Sequence, residues 1–201
     1  MKVRTEARYD RILEIASGVF LEQGFERASM SEIARRVGGS KATLYGYFPS
    51  KENLFLAVVE AEGQRHMAAA EAEVMSAIAG TLRDALIRLG EAVVTFMCSE
   101  VACSAHRMVL GAAGRSDIGQ AFYEMGPKPA LERVAVALSA AMDRNEIRRA
   151  DPWVAAQHLS GLLTAEIQPR WFCRDLQALA PGEAQAIAER AVDVFSRGYS
   201  I

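Results

Sequence analysis

An all-α fold is predicted by three features of this 201-residue chain. Apolar residues recur at three- and four-residue intervals, capping and terminating residues bracket those runs, and no alternating strand pattern or internal repeat occurs. With 51% hydrophobic residues the chain is long enough to bury a sizeable core and is not of a disordered class. The organisation expected is an N-terminal three-helix head over residues 1–50, carrying a helix-turn-helix, and a larger helical domain over 51–201.

The first helix is placed at about Thr5 to Gln23, with Ile12, Ile15, Ala16, Val19 and Phe20 on one stripe and Gly24 as terminator. Next comes SMSEIARRVGGSKATLYGYFPSK, Ser29 to Lys51. Ser29 and Glu32 have the spacing of a reciprocal capping box, so a helix should start near Met30 and end at Gly38. Ser40 caps a second helix, which must stop by Phe48 because Pro49 disfavours helical geometry in its predecessor. A turn of about three residues between two short helices suits a helix-turn-helix.

At 100° per residue, if Leu44 and Phe48 face the core, Ala42 and Gly46 point away from it and Thr43 and Tyr45 flank that outward face. Two very small residues suit a backbone approaching a groove floor, and the two hydroxyls and the Ala42 methyl suit base edges. Lys41, Tyr47 and Lys51 are spaced to reach phosphates. On pattern alone, an ordinary packed helix pair with a solvated face fits equally well.

The runs TLYGYFPSKENLF and EIARRVGGSK resemble the recognition region of the tetracycline-repressor (TetR) family of bacterial transcription regulators, over roughly Arg8 to Val58. The resemblance implies an all-helical homodimer that binds a double-stranded DNA operator and releases it when a small-molecule inducer enters the C-terminal domain. Its DNA-contacting positions fall on Ser29, Ser40, Lys41, Ala42, Thr43, Tyr45, Gly46, Tyr47 and Lys51, and its core positions on Leu44 and Phe48. The chain departs from the pattern at Gly39, where the family usually has an apolar residue. About 1–2 kcal/mol of buried side chain is lost there unless something else fills the space. The segment from about Arg107 to Trp153, including AFYEMGPKPALERVAVAL, looks like the ligand-binding half of one TetR subgroup.

Charge is uneven. Residues 1–50 hold eight Lys/Arg against six Asp/Glu and the remainder fifteen against nineteen, so with a net charge of −2 any DNA affinity must be local. The most apolar stretch, Ala92 to Gly114, is interrupted by Glu100, His106 and Arg107, and no membrane span is expected. The first eleven residues hold Arg4, Glu6, Arg8, Asp10 and Arg11 and give no secretory signal, so the cytoplasm is the expected location. Three cysteines fit reduced thiols there.

After residue 50 the text is alanine-rich. Ser50 caps a fourth, connecting helix that begins at Lys51 and runs past Gly63, and Thr81 to Cys98 carries Leu82, Leu86, Leu89, Val93 and Phe96 on one face. Helices follow at about Val101 to Ala112 and Asp117 to Met125, and Pro127 opens another to about Asn145. In the last two, about Pro152 to Ile167 and Gly182 to Ser196, the small residues Ala155, Ala156, Ser160 and Gly161 and the stripe Ile187, Ala188, Ala191, Val194 and Phe195 suit a four-helix dimer interface. The same stripes could equally face their own core.

Cys98, Cys103 and His106 form C-x4-C-x2-H, which matches no common structural zinc spacing, so no metal and no cofactor is expected. His66 and His158 are isolated, and no catalytic string such as H-E-x-x-H or G-x-S-x-G occurs, so an enzyme is not expected. Residues that interrupt apolar helices with aromatic, sulfur or polar groups are the inducer-pocket candidates: Met97, Cys98, His106, Phe122, Met125, Trp153, Trp171 and Phe172. The reading is a ligand-responsive DNA-binding regulator, a repressor released by its inducer. Two alternatives use the same scaffold: a helical ligand-binding or interaction module that has lost DNA affinity, and a thiol redox sensor.

Overall fold

A computed structural model describes residues 6–76, 81–112, 114, 116–173 and 177–201. Thr5, Arg4 and the first part of the segment between the fourth and fifth helices lie outside these. The order is α1 (Glu6–Arg27), α2 (Met30–Val37), α3 (Lys41–Tyr47), α4 (Lys51–Ser76), α5 (Leu82–Met97), α6 (Glu100–Ala112), α7 (Ile118–Met125), α8 (Pro127–Asp143), α9 (Pro152–Ala165), a 3-10 turn at Gln168–Phe172, and α10 (Glu183–Tyr199).

Gly24 does not end α1 outright. It breaks the helix at φ 74°, ψ 161°, and one further turn continues to Arg27. Ser29 accepts the backbone N–H of Glu32 at 3.2 Å, so α2 starts where the capping residue requires. The reciprocal half of the expected capping box is not made. The Glu32 carboxylate turns instead to Arg35 (2.7 and 2.9 Å) and Arg36 (2.8 Å), charged donors that outcompete a backbone N–H, and these hydrogen bonds hold its acid well below the usual range, at about 2. Arg36 also reaches Glu22 on α1 at 2.7 Å. Gly38 then adopts a left-handed conformation (φ 72°) that closes α2.

Gly39 leaves no void. A Cβ placed there would meet the Arg8 guanidinium at 2.9 Å, so this side chain from α1 occupies the space that an apolar residue would otherwise fill. In the head, Ile12, Ala16, Val19, Phe20, Ile33, Leu44 and Phe48 are buried together, and the cluster continues into α4 through Leu54, Phe55 and Val58.

A second buried cluster joins α5, α8, α9 and α10 around Leu86, Leu138, Leu159, Ile187 and Phe195. Gly90 permits its closest approach: a Cβ there would lie 2.7 Å from Leu163 and 2.9 Å from Ala188. The stripe expected to pair copies of the chain therefore lies mostly inside the protomer. Ile187, Ala188, Ala191 and Phe195 on α10 and Ala155 and Ala156 on α9 are all buried, because α10 packs on α5 and α9 packs on α8 and α10. The outward residues of these two helices include Val154, Gly161 and Val194, the last 56% exposed.

Candidate nucleic-acid interface and ligand cavity

Ser40 fixes the start of α3 by accepting the Thr43 backbone N–H at 3.1 Å, and its hydroxyl pairs with that of Thr43 at 2.9 Å. From this start, rotation around the helix puts Leu44 and Phe48 in the core (2% and 4% exposed) and Lys41, Ala42, Tyr45 and Gly46 on the surface, with Thr43 between. A Cβ at Gly46 would touch nothing within 4 Å, so no packing inside the protomer requires glycine there. Ser29 is exposed at the start of α2. Tyr47 is half-buried against the head cluster. Across the core, Phe48 meets the ring of Tyr9 on α1, centroids 5.2 Å apart.

Lys51 makes contacts within the protomer that its position alone did not suggest. Its ammonium donates to the carbonyls of Phe25 (2.8 Å), Glu26 (3.2 Å) and Ala28 (3.2 Å) and sits 4.3 Å over the Phe25 ring. An ammonium has three protons to donate, and here they tie the end of α1 to the start of α4.

Below the head lies a cavity of about 260 Å³, near the lower end of the ~300–1,000 Å³ common for small-molecule sites. One stripe of α4 forms a wall through Leu56, Val59, Glu60, Gly63, Gln64, Met67 and Glu71, and α5, α6, α7, α8 and α9 supply the rest. Gly63 opens room beside α5: a Cβ there would press on the Phe96 ring at 3.1 Å. Four of the sequence candidates, Met97, His106, Phe122 and Met125, line the cavity.

Cys98, Trp153, Trp171 and Phe172 do not line it. Cys98 packs against the C-terminal core, Trp153 lies in the first turn of α9, and Phe172 is 73% exposed. Trp171 sits outside the wall, stacked on His106 with centroids 4.4 Å apart, in a 3-10 turn rather than an irregular loop. Arg107 holds that turn on α6 by donating to the carbonyls of Trp171 (3.1 Å), Arg170 and Cys173. The residues of the α4 wall escaped the sequence reading, although Gly63 within a long helix was a visible signal.

Burial holds His106 below its ordinary value of 6.5, only partly offset by its hydrogen bond with the Ala102 carbonyl at 2.9 Å. The unfolded chain therefore takes up this proton first as pH falls, and stability declines from just below pH 6.5 down to the folded value. Replacing His106 with phenylalanine should flatten the fall in unfolding free energy below pH 6.5, by up to ~1.4 kcal/mol per pH unit. Equal slopes in a calorimetric pH series would remove His106 as the cause. Burial pushes the thiols of Cys98 and Cys103 up, away from reactive thiolate, and Cys103 donates to the Met97 carbonyl at 3.4 Å. Among the described residues no three metal-binding side chains converge.

Residues 12–58 match the family model for bacterial regulatory proteins of the tetR family, and residues 84–201 match that for the AefR-like transcriptional repressor, C-terminal domain. The chain belongs to the TetR family. Its two parts are thus a TetR DNA-binding head and a TetR C-terminal domain, in a family of ligand-responsive DNA-binding regulators rather than of enzymes. Among solved TetR structures, one from Mesorhizobium loti superposes with a TM-score of 0.81 at 26% identity over the whole of both chains. The flavonoid-responsive regulator FrrA does so with a TM-score of 0.66 at 29% identity over 98% of each. An uncharacterised HTH-type regulator of Mycobacterium tuberculosis is 32% identical over 149 residues, 71% of this chain and 67% of that one. The first several curated relatives match over only about 60 residues, so the chain spans about a third or less of their length.

Proposed function

We propose that this TetR-family chain is a homodimeric repressor released from its operator by a small-molecule inducer bound in the cavity. The single observation that supports this most strongly is the outward face of α3, which offers Lys41, Ala42, Thr43, Tyr45 and Gly46 while Leu44 and Phe48 anchor it from behind. Thr43, Tyr45 and the Ala42 methyl read base edges, and Lys41, Ser29, Ser40 and Tyr47 position the head on the backbone. Two copies related by a two-fold axis set two such helices about 34–36 Å apart, the distance between successive major grooves. The exposed valines Val154 and Val194, with Gly161 beside the first, are the surfaces of α9 and α10 available for pairing.

Coupling runs through α4. One stripe of this helix is buried in the head at Leu54, Phe55 and Val58, another lines the cavity at Leu56, Gly63 and Met67, and Val59 belongs to both. A ligand that displaces the cavity stripe shifts the head as well. A coupling of ~1–3 kcal/mol changes operator affinity ~5–150-fold.

The test is binding of the purified protein to DNA from upstream of its own and neighbouring genes, with competitor DNA and across a salt series. Selective binding with footprint halves one helical turn or a small multiple apart supports the reading, whereas only sequence-blind binding to every such fragment counts against it. The same series separates the two lysines. Lys41→Ala should lower the slope of log K against log salt by about one per protomer. Lys51→Ala should leave that slope unchanged, because its ammonium is held by three carbonyls, and should instead lower Tm.

A further inference from the structure

Among the described residues three charged side chains line the cavity, and they do not balance. Arg133 and Glu71 neutralise each other through two hydrogen bonds, 2.8 and 2.9 Å long. Among the described residues Glu60 has no such cation: its carboxylate accepts a hydrogen bond from the neutral amide of Gln64 at 3.1 Å, and both residues belong to the same wall of α4. The remaining lining is mainly hydrocarbon, sulfur and aromatic ring, and the half-buried His106 is held toward its neutral form.

We propose that the ligand of this cavity is a lipophilic cation, an apolar body with one amine or amidine group, and that Glu60 is the residue that selects it. This rests on the reading of the cavity as the inducer site. An apolar body alone gains only its burial. A carboxylate ligand would add a second negative charge to the wall, or would have to take Arg133 from Glu71 and leave that glutamate unpaired in a site of low polarity. A cation pairs with Glu60 without breaking any bond the protein already makes. Desolvation already pushes the Glu60 acid above its usual range, as expected of a carboxylate lacking its counterion.

The test uses three probes of one chain length, decylammonium, decan-1-ol and decanoate, titrated calorimetrically into the full chain below their aggregation concentrations at pH 7.5. The order expected is decylammonium at least about 10-fold tighter than decanol, with decanoate weakest. In Glu60→Gln the amine and the alcohol should bind alike while the alcohol keeps its wild-type affinity, and Tm should be equal or higher because a desolvated charge is gone. Glu60→Asp, which keeps the charge but withdraws it, should give an intermediate preference, and it carries the test if the glutamine variant does not fold. Decanoate binding tightest, decanol binding as well as the amine in the wild type, or an amine preference that persists in Glu60→Gln each overturns the assignment while leaving the cavity as a ligand site. If none of the three binds, both the assignment and the inducer-site reading fail.

Discussion

Tyr45→Ala should sharply lower operator selectivity while leaving the fold intact. The ring is 47% exposed on the outward face of α3, and surface substitutions of this kind change stability by only about ±0.5 kcal/mol. A lost base-edge contact removes ~1–3 kcal/mol of discrimination, and in a two-fold dimer it is lost twice, so operator affinity should fall at least ~30-fold while binding to competitor DNA persists. Gly46→Ala sharpens the test through opposite signs. Alanine is favoured over glycine inside a helix by about 1 kcal/mol and the added methyl meets nothing in the protomer, so Tm should rise while DNA binding weakens. Leu44→Ala is the control for loss by unfolding, since that side chain is 2% exposed and its truncation removes ~2–5 kcal/mol. Competition assays and thermal melts on the three variants distinguish these outcomes. Selective binding that is undiminished in Tyr45→Ala would contradict this interface.

The head was legible because its determinants are local. A capping serine, a left-handed glycine and a proline fix where α2 and α3 start and stop, and the 3.6-residue period then decides which side chains face out. The contacts of Lys51 within the protomer were not legible, for the converse reason. Its position at the start of α4 is local, but the carbonyls it binds belong to residues 23 to 26 positions earlier, and only the packing of α1 on α4 brings them within reach. The cavity was legible in part: His106, Phe122, Met97 and Met125 interrupt apolar faces and do line it, whereas Cys98 and Trp171 have the same chemistry and face elsewhere. Residue type marks a candidate but not the direction in which it points. The apolar stripe of α10 shows the same limit, since periodicity reveals a buried face and leaves open whether its own chain or a second copy covers it.

Phe55→Ala should unfold the head and spare the body. The ring is 1% exposed and packs edge-on to Phe20 and tilted against Phe25, centroids 4.9 Å apart in each case. Truncating a phenylalanine so placed removes ~3–5 kcal/mol, a large share of the ~5–15 kcal/mol that holds a whole domain together. The second buried cluster, around Leu138 and Phe195, does not include Phe55. Hydrogen exchange should therefore quicken through α1, α2 and α3 while the amides of α5, α8, α9 and α10 stay protected, and operator binding should be lost. Leu138→Ala, at a site fully buried in the other cluster, should give the converse pattern at a cost of ~2–5 kcal/mol. Uniform loss of protection in both variants would show head and body unfolding as one unit. Separate losses would leave α4 as the element that joins two semi-independent cores, and a helix whose adjacent residues Phe55 and Leu56 face the head core and the cavity respectively can move one when the other is filled.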